Sequence, residues 1–118
     1  MAIHVFVYGT LKRGCSAHGL LKPSDFIGEG SVAGYTLLVN EAPYPLAVEA
    51  PPECRIYGEV YRVPAYVLAR IDRYEGAPIL YRRVRVHVSL ADSGYIDAWM
   101  YVANYPSETS CVAERWNC

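Results

Sequence analysis

Apolar and polar residues follow a strand-like period over most of the chain and a helical one over a single stretch. Ile3-His4-Val5-Phe6-Val7 is a short, largely β-branched run and reads as a buried strand, with His4 a core or edge histidine rather than a ligand. From Phe26 to Val48 the pattern is strand-like but broken by Gly28, Gly30 and Gly34, residues that mark bulges or bends. Within it Tyr35 to Val39 is a predicted strand. Ala42-Pro43-Tyr44-Pro45 and Ala50-Pro51-Pro52-Glu53 are turns, because proline opposes ladder pairing. Ile56 to Val63 alternates well enough for a strand, with Gly58 as its expected bulge. Pro64 to Tyr74 is the clearest helix: Val67, Leu68, Ile71 and Tyr74 fall on one face, Pro64 suits the first helical position, and Gly76 ends the run. Ser16 to Leu21 is predicted to make one or two helical turns. Val84, Val86 and Val88 then alternate with Arg83, Arg85 and His87, Asp92-Ser93-Gly94 turns the chain, and Tyr95 to Ala103 returns as the second arm of a hairpin. The tail from Asn104 is weakly patterned.

Many strands, few helices and short connections predict an α+β fold: a small mixed, partly closed β-barrel with few flanking helices. At 118 residues the chain is expected to be one domain, residues 1–118. The 53% hydrophobic and 19% charged fractions are those of a globular protein. A formal charge of -1 gives no electrostatic reason to expect nucleic acid. No apolar run reaches membrane-spanning length and no leader or anchor is visible after Met1, so the expected setting is the cytosol. The four cysteines, Cys15, Cys54, Cys111 and Cys118, form no CxxC pair, which argues against a structural zinc site. Their even number permits disulfides, although cytosolic thiols are ordinarily reduced outside hyperthermophiles. Cys111 and Cys118 could meet if the tail folds back.

Glu75 is the most informative position. Projected at 100° per residue it lies between Ile71 and Leu68, inside the apolar arc of the helix. A carboxyl group there is partly removed from water and sits at the negative end of the helix dipole, and both effects raise its pKa. Folding gains nothing obvious from that placement, whereas a general base does. Tyr8-Gly9-Thr10-Leu11 is the second feature. The chain leaves a buried strand through a glycine, and the successive N–H groups of Gly9, Thr10 and Leu11 can form an anion-binding nest. Tyr81 opens the strand after the helix, and its hydroxyl can close the same pocket. Arg82, Arg83 and Arg85 read as a solvated strand face. Cys15 and His18 lack a third orienting group, and GxSxG, HExxH and Walker patterns are absent. A glutamate-centred site without a protein nucleophile needs a substrate that carries its own.

These residues resemble a known family. Val7-Tyr8-Gly9-Thr10-Leu11-Lys12-Arg13-Gly14 is similar to the signature loop of the gamma-glutamylcyclotransferase-like family, nearest to its gamma-glutamylamine cyclotransferase and AIG2-like branch. Leu68 to Gly76 resembles the family's helix ending in the catalytic glutamate. Leu80 to Val86, Gly58 to Tyr61 and Ala98 to Val102 match in kind and order. Ser16-Ala17-His18 and Pro43-Tyr44-Pro45 depart from it, the first where relatives often carry asparagine, the second where Gly-Tyr-Pro is common. The resemblance implies a small mixed barrel, Glu75 as general acid/base, and a substrate glutamyl end held on the main chain of Tyr8 to Leu11. It implies cyclisation of a gamma-glutamyl amine or amide to 5-oxoproline, with release of the amine and no metal or organic cofactor. The expected partner is that small molecule, with no nucleic acid or membrane, and the chain is expected to be a monomer or weak homodimer. Two other readings stay open: a binding module that keeps the pocket without turnover, and a tailoring enzyme that removes a gamma-glutamyl protecting group.

Overall fold

The computed structural model describes residues 2–118. Its first strand, β1 (Ile3–Val7), explains the apolar run that only His4 interrupts. Val5 and Val7 join one buried cluster while Phe6, with Tyr8 just beyond the strand, joins the other, so both faces of β1 are covered. The remaining strands are β2 (Asp25–Ala33), β3 (Tyr35–Leu38), β4 (Leu46–Glu49), β5 (Arg55–Val63), β6 (Tyr81–Leu90) and β7 (Tyr95–Ala103). Five of them close a barrel in the order β1-β5-β2-β6-β7, and β3 pairs with β4 in a separate two-stranded ribbon. The barrel is closed, where the sequence pattern suggested only partial closure. Its last seam is parallel, β1 against β7, in register at Val5 opposite Trp99.

Closure depends on close main-chain passage. Gly30 of β2 faces Gly58 of β5. A Cβ on Gly58 would lie 2.2 Å from the Val7 carbonyl oxygen, and one on Gly30 would lie 2.7 Å from Val88 Cγ1. Gly28 and Gly30 therefore sit inside one continuous nine-residue strand, while Gly34, with φ 86°, does break the pattern between β2 and β3. The register shift falls between Phe26 and Gly28 of β2, and Gly58, expected to be a bulge, is a regular rung.

The single α-helix among the described residues, α1 (Ala65–Glu75), buries Val67, Leu68 and Ile71 against one side of the barrel. Pro64 is its N-cap residue rather than its first helical one, and Gly76 terminates it in the left-handed conformation, φ 68°. The Gly76 N–H donates to Arg73 O (3.2 Å) and the Ala77 N–H to Asp72 O (3.0 Å), an arrangement that needs a residue tolerant of positive φ. The expected turns around residue 20 are a short 3₁₀ segment, His18–Leu21.

The weakly patterned tail has neither helix nor strand, yet it is held firmly. Thr36, a fully buried polar side chain, donates its hydroxyl to Ala113 O and accepts from the N–H groups of Val112 and Ala113. The N–H groups of Leu37 and Tyr57 reach Ala113 O and Glu114 O, each at 2.9 Å. Disulfides join Cys15 to Cys118 and Cys54 to Cys111. The Cys111–Cys118 pairing and the reduced thiols considered from sequence are thus corrected: the tail runs along the barrel instead of doubling back on itself. Among the described residues no helix is long and apolar enough to cross a membrane.

Candidate active site

The segment after β1 is fixed at both ends before any ligand arrives. Tyr8 is buried and donates its hydroxyl to Tyr101 O on β7 (2.5 Å). Lys12 N–H turns back to Gly9 O (3.0 Å), Ala17 N–H reaches Thr10 O (2.9 Å), and Arg13 N–H donates to the Glu59 carboxylate of β5 (2.9 Å). The N–H groups of Gly9, Thr10 and Leu11 donate to no main-chain carbonyl in the described loops and turns, which leaves three adjacent donors. His18, which sequence set beside Cys15 as a weak nucleophilic pair, bonds through Nδ1 to Leu11 O (2.9 Å), while Cys15 is locked in its disulfide.

The end of α1 faces this loop. Tyr74 and Thr10 hydrogen-bond through their hydroxyl groups (2.9 Å), which ties the last helical turn to the glycine-containing segment. Glu75 follows, partly buried. Burial is the cause that moves its carboxyl from an ordinary 4.5 up to about 7. A carboxyl poised there exchanges its proton readily near neutral pH. The cavity between loop and helix end has a volume of about 200 Å³. It is lined by the residues that sequence reasoning assigned to the site, Tyr8, Gly9, Thr10, Leu11, Glu75 and Tyr81, and by neither Cys15 nor His18. A space of roughly 150 Å³ is enough for benzene, so this one suits a small head group, with the rest of a longer molecule lying outside.

Tyr81 is buried at the start of β6 and donates its hydroxyl to Pro45 O (3.2 Å), which pins the Pro43-Tyr44-Pro45 turn over the cavity. Burial raises the phenol pKa values of both Tyr81 and Tyr8, and the neighbouring Glu75 charge adds to the rise, so each remains a neutral hydroxyl. The lining contains no lysine, arginine, histidine, cysteine or serine, and its one aliphatic hydroxyl, that of Thr10, is engaged with Tyr74. An anionic group entering the cavity therefore meets no cationic side chain, and because the hydroxyls of Tyr8, Tyr81 and Tyr101 already donate to Tyr101 O, Pro45 O and Asp72, the donors left along the loop are the main-chain N–H groups of Gly9 to Leu11. Among the described residues no three potential ligands converge as a metal site requires.

Sequence reasoning did not single out Tyr44, Tyr74, Leu80 and Tyr101, which also line the cavity. Tyr74 carried a signal, since it immediately precedes Glu75. Tyr101 carried none among eleven tyrosines. Arg83, read as part of a solvated face, instead chelates Asp72 of α1 with Nε at 2.9 Å and Nη2 at 3.2 Å.

Fold and site together define a small closed-barrel protein with one acid group set against a loop of main-chain donors. The chain belongs to the family described as Gamma-glutamyl cyclotransferase, AIG2-like, whose family model matches residues 5–117. It is 42% identical over 113 residues to a candidate gamma-glutamylcyclotransferase of Methanocaldococcus jannaschii, covering 94% of this chain and 91% of that protein. It is 33% identical to the gamma-glutamylaminecyclotransferase of Bos taurus, covering 88% of this chain and 68% of the bovine one. In three dimensions it is similar to the crystal structure of an AIG2-like protein from Mus musculus, with a TM-score of 0.80 at 26% identity over 89% of this chain and 80% of the mouse chain.

Proposed function

We propose that this chain cyclises a gamma-glutamyl amine or amide to 5-oxoproline and releases the amine, with Glu75 as the general acid/base. The observation that carries the reading is the Glu75 carboxyl itself, raised to about 7 by burial in a cavity shared with the Gly9 to Leu11 donors. The names of the relatives give the reaction class, and the chemistry of the cavity fits it.

In this reaction the substrate's own α-amine attacks its side-chain amide carbonyl, so no protein nucleophile is required. The task of the site is orientation, which alone can supply about 7–11 kcal/mol of barrier lowering in a well-aligned intramolecular reaction. Glu75, as carboxylate, takes a proton from the attacking amine as the carbon–nitrogen bond of the five-membered ring forms. The carbonyl oxygen becomes an oxyanion, and main-chain N–H groups are suited to receive either that charge or the substrate α-carboxylate. Glu75, now protonated, gives its proton to the departing nitrogen as the original amide bond breaks, and the carboxylate is restored. Such proton transfer is typically worth about 10²–10⁴-fold. Residues 1–118 act as one domain on a small molecule, as a monomer or weak homodimer.

The test is release of 5-oxoproline from a panel of gamma-glutamyl amines and gamma-glutamyl dipeptides, followed by chromatography. Glu75→Gln keeps the shape of the side chain and removes the acid/base proton, and it is expected to lower release by about 10²–10⁴-fold, to a slow residual rate, while leaving the circular dichroism spectrum unchanged. Turnover by that variant at the parent rate would overturn the assignment.

A further inference from the structure

We infer that Asp72 is a positioning residue for Glu75, acting through a clamp made with Tyr101 and Arg83. This inference rests on the acid/base reading of Glu75 and adds a residue that the cavity does not contain. Asp72 lies one turn before Glu75 on α1 and is absent from the cavity lining. Residues three apart on a helix share a face, so the roll of the helix at Asp72 sets the direction of the side chain at Glu75.

Both oxygens of the Asp72 carboxylate are held. Oδ1 accepts from the Tyr101 hydroxyl and from Arg83 Nε, and Oδ2 accepts from Arg83 Nη2. Arg83 and Tyr101 are directly opposed partners on β6 and β7, so the clamp is seated on a cross-strand pair of the barrel wall. The guanidinium of Arg83 also lies over the Trp99 ring, 4.6 Å from its centroid, which fixes the plane of the fork. Tyr101 works in a second direction too: its carbonyl oxygen receives the Tyr8 hydroxyl. One strand residue thereby connects the start of the donor loop to the helix end that carries the acid.

The clamp serves folding as well as position: the Arg83–Asp72 pair is bidentate, shares its carboxylate with Tyr101 and is under a third exposed on each side, the kind of pair that does contribute to stability. Helix ends fray, and here the acid sits in the final residue of the helix, followed by a glycine. A misplacement of about 1 Å can cost about 10²-fold in rate, so anchoring the last turn to the barrel has a catalytic consequence beyond its contribution to folding.

The test compares Asp72→Ala, Asp72→Asn and Glu75→Gln for kcat, KM and thermal midpoint, using a gamma-glutamyl amine that the parent protein turns over. Asp72→Ala is expected to lower kcat by about 10- to 100-fold while KM stays within about two-fold. Asp72→Asn keeps an oxygen acceptor for Tyr101 and is expected to recover part of that loss. In a Glu75→Gln background Asp72→Ala is expected to lower the residual rate no further, because the residue it acts through is gone. Parent kcat in folded Asp72→Ala, or an equal loss in the Glu75→Gln background, would overturn the positioning role. Parent turnover in Glu75→Gln would instead overturn the acid/base reading itself, so the two failures are told apart.

Discussion

Replacing Glu75 with glutamine should make the protein more stable above neutral pH while it cuts turnover to a slow residual rate. Burial pushes the carboxyl from 4.5 up to about 7 in the folded chain. At 1.36 kcal/mol per pH unit that gap is worth about 3 kcal/mol. The sign follows from proton counting. Below pH 4.5 the carboxyl is protonated both folded and unfolded, and its favourable contribution to folding is complete. Between 4.5 and 7 the unfolded chain releases its proton while the folded chain retains it, so stability falls as pH rises. Above about 7 the folded state holds a poorly solvated carboxylate and the contribution is gone. Glutamine fills the same volume and never ionises. Because the side chain is only partly enclosed, the expected gain of the variant over the parent, comparing pH 8 with pH 4.5, is about 2–3 kcal/mol. Urea unfolding of oxidised protein at several pH values between these limits measures it, provided the m-values of parent and variant agree. A parent–variant difference that stays constant within about 0.5 kcal/mol across the range, the size of an ordinary surface effect, would refute the claim that this acid is held away from water at a cost to folding.

The same carboxyl should appear in the kinetics. Its basic form accumulates above about 7, so kcat/KM for a gamma-glutamyl amine should climb through that pH to a plateau; initial rates measured across neutrality check it, and a limb near 4.5 would contradict it. Gly9→Ala places a Cβ 2.9 Å from Pro45 Cγ and 3.2 Å from Cδ. The Pro45 ring must give way, costing about 1–3 kcal/mol by overpacking and raising KM, as calorimetry and steady-state kinetics would show. The disulfides close chain segments of 103 and 57 residues, and removing each through paired Cys→Ser changes should lower unfolding free energy by about 2–4 kcal/mol. Superimposable denaturation curves with and without reductant would contradict that.

Much of this architecture is readable before folding is considered. The helix carries its own limits in Pro64 and Gly76, and Glu75 stands out because a charge interrupts the stripe of Val67, Leu68 and Ile71. The β6–β7 hairpin is equally local, with regular alternation on both sides of Asp92-Ser93-Gly94. What the pattern misreads depends on partners distant in sequence. Gly28 does mark a register shift, but Gly30, which looks like another interruption, is needed where β2 passes Val88 and Ser89 of β6. Ribbon strand β4, flanked by Pro45 and Pro51, is defined by pairing with β3 rather than by its own period. The cysteine pairing follows the path of a tail with no local periodicity. Tyr101 is one tyrosine among many until the barrel brings it between Tyr8 and Asp72.

The parallel seam between β1 and β7 has a kinetic consequence. It joins the first strand to the last, and the Tyr8–Tyr101 bond crosses it beside the cavity. Contacts between such remote parts of a chain are slow to form because the intervening residues must first be ordered. A ribosome-bound or truncated polypeptide that has not yet laid down its seventh strand thus lacks one wall of the pocket. Competence for chemistry should emerge late in maturation, together with the completed cylinder and not with any earlier fragment of it.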